Sequence, residues 1–326
     1  MVGYKKDDSL TSSQKLFAGC FSGFLTRFIT QPMDVIKVRT QLLKQKIIEK
    51  GSKKKWFPIT RRILKKEGVS AFWQGHNIGQ VHSVLAVSSQ FYVYELTTKY
   101  LSTFQLSQEF RPVALFFCGV AAGTCSTTLV IPLEVIRVRQ MLAKEQYRGL
   151  LNGAKMVYSS GGILAFYEGL PASLMQMGPA VGISFTTFQL VQHYILKHLH
   201  KCNDDCKNAK GNTHKPEHLL LASTIAGSCA GFISKTLTYP FDLSKKRMQI
   251  ASHKEDNRFQ AGAASKHLIR CRKLSECLIE TLKKEGFLGL FRGWKVTIYK
   301  AQLSSVVAFT TYELTCYAVR EFGGLK

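Results

Sequence analysis

Three acid–base pairs at one spacing offer the most chemistry in this chain. Asp34 precedes Lys37, Glu134 precedes Arg137, and Asp242 precedes Lys245. A proline stands two residues before each acid: Pro32, Pro132 and Pro240. Side chains three apart share a helix face, so each acid lies beside its base. Three such pairs in one register predict a ring of charge about a threefold pseudo-axis. Isolated pairs on single helix surfaces are the plainer alternative, worth about 0.2–0.5 kcal/mol each. Threefold repetition argues against it, because surface pairs have no reason to recur in register. The ring offers ion pairing rather than catalysis. A phosphate loop, a nucleophile with a placed base and a well-spaced metal-ligand set are all missing, so an enzyme is not expected and no cofactor is implied.

Further cations share the same face. Arg27 stands five residues before Pro32 and Lys235 five before Pro240, while Thr127 takes that place in the middle. Arg27 and Asp34 are seven residues apart, hence on one helix face about 10.5 Å along the axis. Whatever turns the acids inward turns these cations inward too. Facing lipid at mid-span, such a charge costs about 2.5–3.5 kcal/mol, most of which an aqueous cavity avoids. Pairing with a carboxylate elsewhere is the alternative, but the spans offer few spare acids. Inward cations suit phosphate oxygens, with Arg giving directional ionic hydrogen bonds. They do not suit a cationic amino acid or a free proton as cargo.

The elements that position these residues are repeated as well. Gly19 and Gly23, Gly119 and Gly123, and Gly227 and Gly231 hold the same offsets before the three prolines. Glycines four apart in an apolar helix predict close approach of another helix. Each repeat closes on an aromatic-x-glycine: Trp73-Gln74-Gly75, Tyr167-Glu168-Gly169 and Phe291-Arg292-Gly293. Glu67-Gly68 and Glu285-Gly286 precede two of these, and Gly161-Gly162 the other. Recurrence over this distance sets the architecture: repeats of about 13–106, 107–208 and 215–322 in a single membrane domain.

Mean hydropathy is only −0.02 over 326 residues, yet six spans carry few charges or none and have the length of a bilayer crossing. The expected fold is an all-α membrane protein with six transmembrane helices. First helices fall near 15–43, 113–143 and 218–250, second helices near 74–100, 170–199 and 293–320. Short amphipathic helices are expected near 57–66, 151–160 and 272–284, with linkers at 101–112 and 200–217. Each proline removes one backbone hydrogen bond and kinks its helix toward the axis. The net charge of +24 concentrates at Lys44–Lys66 and Arg270–Lys284, between the spans of a repeat. That placement fits a membrane face with anionic lipid, or plain loop solvation. Nucleic acid is not an expected partner. The nine cysteines suggest no disulfide framework. Cys202 and Cys206, with His198 and His200 nearby, could bind a metal, but a loop between repeats is the preferred reading. The first 15 residues look like neither a secretory signal nor a transit peptide.

The proline-acid-base phrase, the aromatic-x-glycine ending and the three-repeat layout together resemble the mitochondrial carrier family over essentially the whole chain. The resemblance implies pairing between neighbouring helices, Asp34 with Arg137, Glu134 with Lys245 and Asp242 with Lys37. Such pairs would close a matrix gate when the cavity faces the cytosol. Gln41 and Gln249 stand where the family places a bracing glutamine; Met141 stands there in the middle repeat. The family's substrate contact positions fall on His82, on Gln176 with Met177, and on Lys300. Arg27, Lys235 and Lys300 are then the expected diphosphate ligands. The family's cytosolic gate expects a base at Thr98, Gln192 and Cys316, so a weak gate there is expected. The stretches Met1-Val2-Gly3-Tyr4, Ile233 to Pro240 with Lys245-Lys246-Arg247, and Phe72-Trp73-Gln74-Gly75-His76 resemble one branch of the family, although Gln74 replaces a usual base. They imply thiamine pyrophosphate as substrate, exchanged for a nucleotide, with an adenine nucleotide or coenzyme A carrier as the alternative. The resemblance also implies a monomer in the mitochondrial inner membrane, in contact with anionic lipid such as cardiolipin, with both termini on the intermembrane-space side.

Overall fold

Proline shapes the three helices that carry the ring. A computed structural model describes residues 12–42, 57–103, 111–143, 146–201, 216–252 and 271–323. Pro32 lies inside α1 (Ser12–Leu42) and Pro132 inside α4 (Arg111–Leu142), both continuous. The third helix was expected to run unbroken over 218–250. It is instead α7 (Pro216–Leu237) and α8 (Tyr239–Met248), parted at Thr238 with φ −89° and ψ 0°. Pro240 supplies no N–H to the preceding turn, which leaves the helical hydrogen-bond ladder interrupted there. Thr238 caps the break: its hydroxyl donates to the Ser234 carbonyl at 2.7 Å, and its own carbonyl accepts from Phe241 N at 3.1 Å.

The second long helices are α3 (His76–Thr103), α6 (Leu170–Lys201) and α10 (Trp294–Gly323). Each packs on the first helix of the next repeat, so α3 meets α4, α6 meets α7, and α10 closes the circle on α1. Small hydroxyls seal these seams. Ser126 Oγ donates to the Ala86 carbonyl at 2.7 Å, Ser234 Oγ to Ala180 at 2.7 Å, and Ser22 Oγ to Ala308 at 2.8 Å. Each long helix also exposes large apolar side chains, among them Phe17, Phe91, Phe117, Phe185, Phe232 and Phe309. An apolar belt around the whole perimeter is what a bilayer-embedded surface requires. One of the helices, over Ala114–Leu142, is long and apolar enough by hydropathy alone to cross a membrane. The polar faces turned toward the axis dilute the mean elsewhere.

Between the long helices of each repeat lie α2 (Phe57–Glu67), α5 (Leu150–Gly161) and α9 (Leu274–Glu285). A single 3₁₀ turn follows each: Val69–Trp73, Ile163–Tyr167 and Phe287–Phe291. Glycines with positive φ bracket every turn, Gly68 and Gly75, Gly162 and Gly169, Gly286 and Gly293. The later glycine of each pair also admits a neighbour. A Cβ on Gly169 would sit 2.9 Å from Gln249 Cγ and 3.0 Å from the Lys245 carbonyl. The main buried core lies at this end, where Val35, Val38, Leu42, Val138, Met141 and Ile250 meet α2 and its turn.

The glycine pairs in the long helices behave otherwise than expected. Gly19, Gly23, Gly119, Gly227 and Gly231 face open space, and only Gly123 is closely approached, by Met177. The first helices converge at their prolines, and these glycines lie two to four turns away, where the helices have parted. The cysteine pattern also hid one bond: Cys271 and Cys277 form a disulfide beside α9, with Cα atoms 5.4 Å apart. Cys202 and Cys206 fall outside the described residues.

Candidate functional site

The proline-bearing helices bring the three acids together with bases from neighbouring helices. Arg137 Nη2 lies 3.0 Å from Asp34, Lys245 Nζ 2.8 Å from Glu134, and Lys37 Nζ 2.8 Å from Asp242. These pairs cross between repeats; none is the pair along one helix that i,i+3 spacing alone would produce. Polar neighbours fix their geometry. Arg137 Nη2 also donates to Gln31 at 3.1 Å. Gln41 Nε2 donates to Asp242 at 3.2 Å and to the Tyr239 hydroxyl at 2.9 Å. That hydroxyl in turn donates to the Arg292 carbonyl at 2.7 Å. Gln249 does not touch an acid: its Oε1 accepts from Lys246 at 3.2 Å. Met141 at the matching place is buried in the core.

Two more lysines share the ring's acids. Lys300 Nζ reaches Asp34 at 2.5 Å, and Lys246 Nζ reaches Glu134 at 2.7 Å. Lys300 was expected as a cavity cation; it rests on the ring. Arg27 is half-buried beside it and donates from Nη1 to the Gly79 carbonyl at 2.5 Å. The charges of Arg137 and Asp34 act on it. His82 sits among Glu134, Arg137, Lys246 and Arg27, with both ring nitrogens shut off from solvent and without a hydrogen-bond partner. The remaining expected contacts are less engaged. Lys235 is exposed on α7 and Gln176 half-buried on α6, and neither bonds to the ring. Met177 packs onto α4: a Cβ on Gly123 would lie 2.6 Å from its Cε, and Thr127 Oγ1 is 3.5 Å from its sulfur.

Beneath the ring lies a second threefold set that sequence reasoning missed. Arg39, Arg139 and Arg247 each stand seven residues after a proline, and all three are buried. Arg39 grips Glu67 with two bonds, at 2.5 and 2.7 Å. Arg139 meets Glu168 at 2.7 Å and Arg247 meets Glu285 at 2.8 Å. Each also donates from Nε to a carbonyl of the next repeat: Met141 at 2.9 Å, Gln249 at 3.2 Å and Gln41 at 3.4 Å. Every repeat therefore holds the end of its neighbour. The available signal was an arginine at one offset from each proline plus, in the first and third repeats, an acid before the glycine that opens the turn, Glu67-Gly68 and Glu285-Gly286. In the middle repeat Gly161 replaces that acid, and Glu168, from the aromatic-x-glycine, serves Arg139 instead.

At the other end the helices make no comparable ring from the expected positions. Glu95 pairs with Lys99 on its own helix at 2.8 Å, both exposed. Gln192 donates to Ser223 at 3.1 Å, and Cys316 is buried against Ala18.

A molecule of six long helices in three repeats, closed at one end by inter-repeat ion pairs and lined with cations above them, defines a class. The chain belongs to the mitochondrial carrier protein family, whose model matches residues 8–105, 108–199 and 217–320. It is thus a multi-pass carrier of the mitochondrial inner membrane. It is 34% identical over 324 residues to the mitochondrial thiamine pyrophosphate carrier of Homo sapiens, covering 97% of this chain and 96% of that one. The Bos taurus carrier of the same name is 33% identical over 325 residues, covering 97% and 96%. Mitochondrial thiamine pyrophosphate carrier 1 of Saccharomyces cerevisiae is 28% identical over 327 residues, covering 98% of this chain and all of the relative.

Proposed function

We propose that this chain carries thiamine pyrophosphate across the mitochondrial inner membrane by alternating access, in exchange for a nucleotide, and catalyses no reaction. One observation weighs most: one ring acid, Asp34, is shared between its inter-repeat partner Arg137 and Lys300, which stands at a substrate contact position. In this reading Asp34, Lys37, Glu134, Arg137, Asp242 and Lys245 form the matrix gate, braced by Gln41. Gln249 acts on the gate only through Lys246. Arg27 and Lys300 hold the diphosphate first, with Lys235 entering from α7, while His82, Gln176 and Met177 border the rest of the ligand. Ionic hydrogen bonds to phosphate oxygens replace those given up to Asp34. Binding energy then offsets the cost of opening the gate, because a ligand shifts an equilibrium only by its differential affinity for the two states.

The remaining partners follow from the same frame. The protein works as a monomer with its termini in the intermembrane space, which puts the short helices and their basic residues in the matrix. A cavity of about 360 Å³ at that end lies between Trp73–Ile78 and Arg148–Leu150. Two helix N-termini, those of α3 and α5, open onto it beside Arg148. Helix N-termini with a nearby arginine favour a phosphate, here the headgroup of an anionic lipid such as cardiolipin.

Uptake of labelled thiamine pyrophosphate by liposomes holding the purified protein is the test. Saturable uptake that requires internal thiamine pyrophosphate or nucleotide is the expected result. No uptake, alongside working exchange of an adenine nucleotide or coenzyme A, would keep the carrier and overturn the substrate.

A further inference from the structure

Substrates of a pseudosymmetric carrier are themselves asymmetric, so residues that break the threefold pattern are the ones to question. Lys246 is the sharpest break. It stands six residues after Pro240, and its counterparts after Pro32 and Pro132 are Val38 and Val138. Both valines are buried, at 5% and 2% exposure. Placing an ammonium where the other repeats bury a valine is costly unless a partner compensates. Glu134 does so, but Glu134 already has Lys245 at 2.8 Å. The Lys246 charge also acts on Asp242 and on His82.

The ring is therefore overcharged. Lys37, Arg137, Lys245, Lys246 and Lys300 meet only Asp34, Glu134 and Asp242. Two positive charges remain, one at the Asp34 corner and one at the Glu134 corner. Arg27 adds a third close to Asp34. A phosphate monoester carries about −1.5 to −2 at pH 7; a diphosphate carries a further negative charge and is longer. Lys300 and Lys246 hang from different corners, one on Asp34 and the other on Glu134.

We propose that Lys246 is a further substrate-binding residue, which leaves Glu134 for one phosphate while Lys300 leaves Asp34 for the other. It thereby selects a diphosphate over a monophosphate. This rests on the diphosphate reading above and adds the residue that counts phosphates. Both lysines are surplus to the ring, so their release leaves each acid with its inter-repeat partner. The Glu134–Lys245 pair persists without Lys246, so neutralising Lys246 does not unfold the gate.

The test uses the purified full chain and two ligands, thiamine pyrophosphate and thiamine monophosphate, with affinities read by thermal shift. Lys246→Gln should keep or raise the substrate-free Tm. It should weaken thiamine pyrophosphate binding about tenfold, leave the monophosphate within about twofold, and so erase most of the discrimination. Lys246→Arg should restore it. Equal weakening of both ligands, no change in either, or failure of Lys246→Arg to rescue would overturn the proposal. If the wild type bound neither thiamine ester but preferred ADP over AMP, with Lys246→Gln removing that preference, the substrate reading would fall and Lys246 would keep its role. A wild type that bound none of these ligands would sink both.

Discussion

Individual residues divide into those that hold the molecule together and those that can afford to move. Arg139 and Arg247 are fully buried, each on a carboxylate of its own repeat. Removing one partner of such a pair strands a buried charge, at about 3–5 kcal/mol. Glu168→Gln should therefore lower the Tm of the detergent-purified protein sharply, and Glu285→Gln likewise, more so because Glu285 also holds Arg292 at 2.8 Å. Glu95→Gln, which removes one end of an exposed pair within α3, should leave Tm unchanged. The ring residues are less deeply enclosed, and a gate that must open calls for pairs of modest net strength. Arginine at a fixed offset after each proline was readable in the sequence, but its partner was not. The acid that answers Arg139 sits seven residues later in the chain than the corresponding acids of the other repeats. Only the fold shows that both positions reach the same guanidinium.

At the scale of elements, glycine and proline do the positioning, and they do it differently from what spacing alone suggested. Gly169 has φ 86° and admits Gln249 and the Lys245 carbonyl. Gly169→Ala should destabilise by more than about 1 kcal/mol, whereas the same change at a compatible site stabilises, because here both the dihedral and the space are wrong. Gly178→Ala, inside α6 with open space around it, should be neutral or stabilising. A denaturation series on both variants separates them. Helix existence was legible throughout, because charge-poor spans and threefold phrases locate it. The break at Thr238 was not, since Pro32 and Pro132 occupy the same phrase within unbroken helices. Nor was the fate of the glycine pairs. A small-residue pair permits close packing, but whether a helix arrives there depends on how far the first helices splay.

On the scale of the whole molecule, the structure is closed at the ring and parted at the other end. The resting protein should therefore expose its cavity to the intermembrane space. A cysteine at Thr127, in a background freed of native thiols, should react with an impermeant reagent added on that side and resist it from the matrix side. Dominant labelling from the matrix would remove the bias. The charged ring, Arg27 and the contact position of Lys300 were all visible from repeats and family resemblance. That Lys300 bonds to Asp34 rather than waiting free in the cavity was not, because it depends on the approach of α10 to α1. That contact ties the substrate position to the gate. The most direct measurement is the exchange rate of Lys300→Ala in liposomes, with Tm confirming the folded state. Thiamine pyrophosphate exchange should fall at least tenfold, with no loss of Tm, since Asp34 keeps Arg137. Exchange at the wild-type rate by a folded Lys300→Ala protein would contradict the coupling of diphosphate to the gate.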